Sequence, residues 1–210
     1  MSIAFKISAF NRKRKWKIFL DEINPSRELM VLDVGFSENE YSPVDNFIEK
    51  NYPYPEMMTA LGIDTPDNFK ARYPKVSVVQ YNGKFFPFKN KAFDICWSNA
   101  VIEHVGTRDK QLLFLKEIKR VAKKAFLTTP NRYFPVELHT RIPLLHYLPK
   151  QAFDTYLKLT GKTWATGDYM HLLSLSELRN LLLDAGISEY KIFKNKLIGF
   201  TLDFIVMFQA

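Results

Sequence analysis

The sequence of 210 residues holds a single cysteine, Cys96, so no disulfide can form within the chain. Cys96 sits in an apolar run and reads as a small core residue of a protein from a reducing compartment. Only 8 glycines are present. No G-x-G-x-x-G follows a strand, which argues against a nicotinamide-dinucleotide fold, and there is no P-loop, no G-x-S-x-G and no cysteine pair for zinc. Long apolar runs are also missing. The longest near the end, Ile198 to Phe208, is interrupted by Asp203 and is too short to span a bilayer as a helix. Met1 to Phe10 is too short and too broken for the apolar part of a signal peptide, so a cytoplasmic location is expected. Acids are in deficit, 22 against 30 Lys and Arg, giving a formal charge of +8. That balance favours an anionic partner without choosing one.

What is present is a series of short apolar runs. Leu29 to Gly35 places apolar residues around Asp33 and stops at a glycine, the pattern of a buried parallel strand. Further runs at 57–63, 76–81, 93–98 and 125–129 alternate with segments of helical spacing. Pro43 to Lys50 reads as a short helix with proline at its first position, and 107–122 as a longer one capped by Thr107. Ser174 and Glu177 form a capping box for a helix that Gly186 stops. Two final strands, 188–193 and 200–208, are joined too closely to be parallel. The chain is read as one α/β domain, a doubly wound sheet ending in an antiparallel hairpin.

Polar residues stand where three strands end: Asp33, Asp64 and Asn82. Ligands of open α/β sheets bind at that rim. A carboxylate such as Asp64 can accept both hydroxyls of a ribose, and the Asn82 amide both donates and accepts, as an adenine edge requires. A nucleoside-containing cofactor accounts for all three. For Asp33 the competing role is capping of nearby backbone N–H groups.

Phe85-Phe86-Pro87-Phe88, Phe93-Asp94-Ile95, Ser98 to Val105 with Glu103-His104, and Thr129-Pro130-Asn131 then follow in order. With the rim residues, they resemble the class I S-adenosylmethionine-dependent methyltransferases of the bacterial small-molecule type, over about 27–130 and 170–208. The resemblance implies a Rossmann-like sheet of seven strands in the order 3-2-1-4-5-7-6, with S-adenosyl-L-methionine as cofactor. It implies that Asp33 and Gly35, with Phe36 and Ser37, cradle the methionine part. Asp64 and Thr65 would meet the ribose, Asn82 and Gly83 the adenine, and Ser98 and Asn99 the methionine moiety. One departure is evident. The family loop carries three alternating glycines, whereas this chain reads Gly35-Phe36-Ser37-Glu38-Asn39.

The four histidines are His104, His139, His146 and His171. His139 first and His104 second are the candidates for a base toward a hydroxyl acceptor, because imidazole titrates near neutral pH. A metal site from Glu137, His139 and His146 matches no standard spacing, and none is assigned. The segment 131–170, rich in aromatics and proline, reads as an irregular insertion covering the acceptor. Its make-up points to a small-molecule, sugar- or lipid-linked acceptor. A basic helix is expected within 1–26, at residues 10–23, with Arg12, Lys13, Arg14, Lys15 and Lys17 crowded together. This run reads first as a solvated face and second as a patch for an anionic membrane or phosphate groups. Two other classes stay open: an RNA methyltransferase, disfavoured by the lack of an RNA-binding module, and a non-catalytic methyltransferase-like binding protein.

Overall fold

The computed structural model describes residues 3–209. The apolar runs become strands β1 (Val31–Val34), β2 (Met58–Gly62), β3 (Ser77–Gln80), β4 (Phe93–Asn99) and β5 (Ala122–Pro130), followed by β6 (Tyr190–Leu197) and β7 (Phe200–Gln209). They form one sheet in the order β3-β2-β1-β4-β5-β7-β6. The first five strands are parallel, and β7 runs antiparallel to β5 and β6. The last turn is closed by Ile198 and Gly199, both at positive φ, which suits a two-residue hairpin. The strand order reverses between β1 and β4, so a crevice opens at their carboxyl ends.

Strand periodicity divides the core. Leu32, Cys96 and Leu127 face α4 (Arg108–Val121) and α6 (Leu175–Asp184), meeting Leu115, Ile118, Leu178 and Leu181. Val31, Ile95, Trp97 and Phe126 face α1 (Ile3–Ile23), α2 (Phe47–Asn51) and α3 (Asp67–Arg72). Phe19 of α1 sets its ring edge-on to Trp97 at 5.0 Å and to Phe126 at 5.4 Å. The capping box of α6 is formed: Ser174 Oγ accepts the Glu177 N–H, and the Glu177 carboxylate accepts the Ser174 N–H.

Three expectations are corrected. Pro43 does not open a helix. Asn46 takes a left-handed φ of 47° as the cap of α2, while its side-chain amide bridges the Ser37 backbone in both directions. The stretch 131–170 is not wholly irregular. It contains α5 (Lys150–Leu159) and a small core of its own made by Ile142, Phe153, Leu157, Ala165 and Met170. The basic run is not one patch, because successive residues of a helix point in different directions. Lys17 pairs with Asp21 on the surface, Arg14 donates to the Lys196 carbonyl, and Lys15 is only 4% exposed. Lys15 Nζ lies 2.7 Å from Asp203 Oδ2, and Asn11 and Asn195 donate to the same carboxylate. The acid that interrupts the last apolar run is therefore the anchor that bolts α1 across the sheet end. Among the described residues no helix is long and apolar enough to cross a membrane.

Candidate active site

At the β1 exit the chain turns through Gly35, at φ 105°. A Cβ there would lie 2.3 Å from Val101 Cγ2, so both the conformation and the close approach require glycine. Beyond it the loop does without further glycines. Neither Ser37 nor Asn39 adopts positive φ. Side chains hold the path instead: Asn46 clasps Ser37, Arg72 donates to the Glu38 carbonyl, and the Glu38 carboxylate accepts the N–H groups of Asn68 at 2.7 Å and Phe69 at 3.1 Å. Glu38 thereby caps α3, whose first-turn N–H groups have no partner within the helix. Phe36 turns away from the rim, with its ring against Gly62 and tilted at 4.6 Å against Phe69, so it supplies core rather than contact to a ligand.

Asp33 is buried beside Glu49 of α2, itself buried. Among the described residues it caps no loop N–H. Burial, and then the neighbouring Glu49, push its carboxyl well above the usual aspartate range, and burial raises Glu49 as well. Two buried acids side by side thus favour their neutral forms beneath the rim. Arg12 of α1 stands over them, half-buried. Burial pulls its guanidinium down from the usual value against the opposing pull of Asp45, Asp203, Asp33 and Glu103.

Asp64 and Thr65 lie exposed past the β2 exit, and Asp64 has no hydrogen bond or ion pair among the described residues. Exposed Ile63 beside it offers an apolar face next to Gly83, a feature the sequence reading missed. Asn82 is exposed and accepts the Lys84 N–H at 3.1 Å, leaving its NH2 outward. At the β4 exit Ser98 is buried with its hydroxyl unpartnered. Asn99 Oδ1 accepts from Thr128 Oγ1 at 2.9 Å and Lys15 Nζ at 3.4 Å, and its Nδ2 is buried without an acceptor.

The insertion brings His139 onto the short turn that follows β4. His104 Nε2 and His139 Nε2 are 3.1 Å apart. His139 Nδ1 lies 2.7 Å from Glu137 Oε1, and His104 Nδ1 lies 2.8 Å from the Tyr169 carbonyl oxygen. Glu137 is buried, yet the bonds from His139 and Thr140 outweigh the cost of burial and hold its carboxyl down at about 2. The same partnership outweighs burial at His139 and raises its imidazole. Behind the pair, fully buried Glu103 accepts the Thr129 hydroxyl on Oε2, while Oε1 has no partner. His146 does not join this group, because its Nε2 meets the Arg132 carbonyl and its ring packs on Tyr147 and Phe153. His171 anchors the end of the insertion through its N–H to the Glu103 carbonyl. A separate cavity of about 280 Å³ between α5 and α6 contains neither imidazole of the pair and no rim residue.

A family model described as a methyltransferase domain matches residues 50–125. No curated protein sequence matches the chain. Among solved structures, a SAM-dependent methyltransferase from Thermotoga maritima superposes with a TM-score of 0.62 at 14% identity, covering 99% of this chain and 91% of that one. One from Methanosarcina mazei gives 0.56 at 16% identity, covering 90% and 96%. One from Aquifex aeolicus gives 0.54 at 18% identity, covering 92% and 88%. At these identities the likeness is one of fold, and it agrees with the strand order. The chain thus matches a methyltransferase-domain model over residues 50–125 and has the fold of the class I S-adenosylmethionine-dependent methyltransferases.

Proposed function

We propose that the protein transfers a methyl group to a hydroxyl of a small-molecule, sugar- or lipid-linked acceptor held under the 131–170 insertion. The observation that carries this reading is the imidazole pair, His104 and His139, placed beyond the β4 exit by the insertion and backed by Glu137.

The rim residues fit S-adenosyl-L-methionine. Gly35 makes the turn at the β1 exit with Val101 packed against it, the Asn99 Nδ2 is a buried donor in need of an acceptor, and Asp64 is an open carboxylate suited to a pair of ribose hydroxyls. Exposed Ile63 and the Asn82 NH2 supply an apolar face and a donor for the base. Of the residues expected at the cofactor, Phe36 contributes only backbone, and Asp33 acts from below, through its charge balance with Glu49 and Arg12. When bound, this cofactor supplies an electrophilic methyl on a sulfonium.

The chain's own part is to align and to move a proton. Alignment of the acceptor oxygen with the methyl carbon and the sulfur supplies most of the rate. His139, oriented through Nδ1 by Glu137, keeps its lone pair on Nε2, 3.1 Å from Nε2 of His104, and the pair together is the acceptor for the hydroxyl proton. Exposed aromatics of the insertion, Tyr133, Tyr147, Tyr156 and Trp164, suit the flat apolar faces of sugars and lipid tails. The test is methyl transfer from labelled cofactor to a panel of sugar, phenolic and lipid-linked acceptors, with wild type and His139→Ala compared. The variant should lose about 100-fold or more in kcat with cofactor affinity unchanged. Equal turnover by the variant would exclude the pair from the chemistry.

A further inference from the structure

The two imidazoles meet in a way that neutral histidines cannot leave as it stands. The Tyr169 carbonyl only accepts, so His104 Nδ1 carries the hydrogen it donates. Glu137 is an ionised carboxylate, so His139 Nδ1 carries one too. Both Nε2 atoms are therefore bare, and their lone pairs face each other across 3.1 Å. Two lone pairs at that distance repel unless a positive centre lies between them. It is either one proton or one metal ion.

Three further features distinguish these choices. Two nitrogens bound to one tetrahedral zinc ion at ~2.05 Å lie about 3.3 Å apart, close to the separation seen. One Glu103 carboxylate oxygen and the two ring nitrogens all lie within 4.8 Å of one another. Glu103 Oε1 is fully buried and has no hydrogen-bond partner, while Oε2 is held by Thr129. A buried carboxylate oxygen without a donor is costly, and a cation would satisfy it. The outer partners, a carboxylate on one histidine and a backbone carbonyl on the other, are those that orient metal-ligating histidines.

We propose that Glu103, His104 and His139 form a site for one divalent cation of the zinc or ferrous class. Two imidazoles and a single carboxylate select such ions over magnesium or calcium, which prefer oxygen ligands. Three protein ligands leave a coordination position open, as in catalytic rather than structural zinc sites. The site lies in the same cluster as the proposed methyl-transfer centre and changes the role of the pair. With the ion present, both Nε2 atoms are ligands and neither is a base. An acceptor hydroxyl at the open position would be polarised by the ion and would release its proton to water, and a second lone pair of its oxygen would attack the methyl carbon as the carbon–sulfur bond breaks.

The experiment is cation binding by the full chain, stripped with a chelator and titrated with zinc or cobalt(II) chloride in separate runs. The expected result is one tightly bound equivalent, a change in the visible absorption of cobalt, and weak binding of magnesium. His104→Ala, His139→Ala and Glu103→Gln should each lose the site, and Glu137→Gln should weaken it by ~10–100-fold. His171→Gln, a histidine whose side chain meets only Asp168, should bind as the wild type does. Circular dichroism of each variant separates loss of a ligand from loss of the fold, and a folded Glu103→Gln is enough to decide. No bound cation in the wild type, or undiminished binding by folded His104→Ala and Glu103→Gln, overturns the proposal and leaves a shared proton between the imidazoles. Calorimetry of S-adenosylmethionine with the stripped protein stands apart from these readings. Failure of metal binding with cofactor binding intact removes the cation and leaves the methyl-transfer reading in place.

Discussion

Asp64 is the rim residue whose role can be measured most directly. It is exposed and unpaired among the described residues, so Asp64→Ala removes no internal contact. It should weaken S-adenosylmethionine by about 1–3 kcal/mol through loss of charge-assisted bonds to the ribose, read by calorimetry. Unchanged affinity in the folded variant would move the ribose elsewhere. Asp33 and Glu49 make a different prediction. Both carboxyls are raised by burial, so the folded chain keeps protons that the unfolded chain gives up. Their contribution is fully present below the usual carboxylate range and falls as pH rises toward the folded values. Glu49→Gln removes one of the two acids. In urea titrations its stability should gain on the wild type steadily from about pH 4 upward. A constant difference across that range would show that burial does not raise Glu49 in the folded chain. At this scale the sequence showed which residue types stand at the strand exits, but not which way they face. Phe36 and Ser98 are rim positions by spacing and buried side chains by packing.

The elements were legible where local chemistry decides them. Ser174 and Glu177 sit three apart and form the box their spacing announces, and Gly186 takes the positive φ that ends α6. They were less legible where distant partners decide. Lys15 and Asp203 read separately as one charge in a basic run and one break in an apolar run, but they form a buried pair linking α1 to β7. No local pattern reports a partner so far along the chain. α5 was hidden for another reason: Phe153 and Leu157 have helical spacing, but the prolines and aromatics around them suggest loop. The Lys15–Asp203 pair gives the prediction for this scale. Lys15→Met leaves Asp203 charged and buried with only the two asparagine donors, and should cost about 3–5 kcal/mol. Lys15→Met with Asp203→Asn removes both charges and should recover a large part of that loss in urea denaturation. If the single variant is as stable as the wild type, the anchor is not where the structure places it.

Across the whole molecule, the sheet and its order followed from alternating strands and helices, while the relation of the insertion to the rim did not. The insertion leaves and rejoins the domain at neighbouring points: Asn131 and Leu173 pair in a bridge, and the Arg132 N–H donates to the Leu173 carbonyl. Its interior residues, Ile142, Phe153, Leu157, Ala165 and Met170, pack on one another rather than into the two cores that flank the sheet. A segment with adjacent ends and its own core can be removed with little effect on the rest. Replacing residues 133–169 by a short glycine–serine linker should therefore leave S-adenosylmethionine affinity within a few-fold of the wild type, because Gly35, Asp64, Asn82 and Asn99 all lie outside it. Methyl transfer should disappear, because His139 and Glu137 go with the segment and His104 loses its partner. Calorimetry and a transfer assay on the same preparation read the two outcomes separately. Loss of cofactor binding in a protein that still folds would mean that the insertion helps to form the rim, so that binding of the methyl donor and capture of the acceptor are a single event in this molecule.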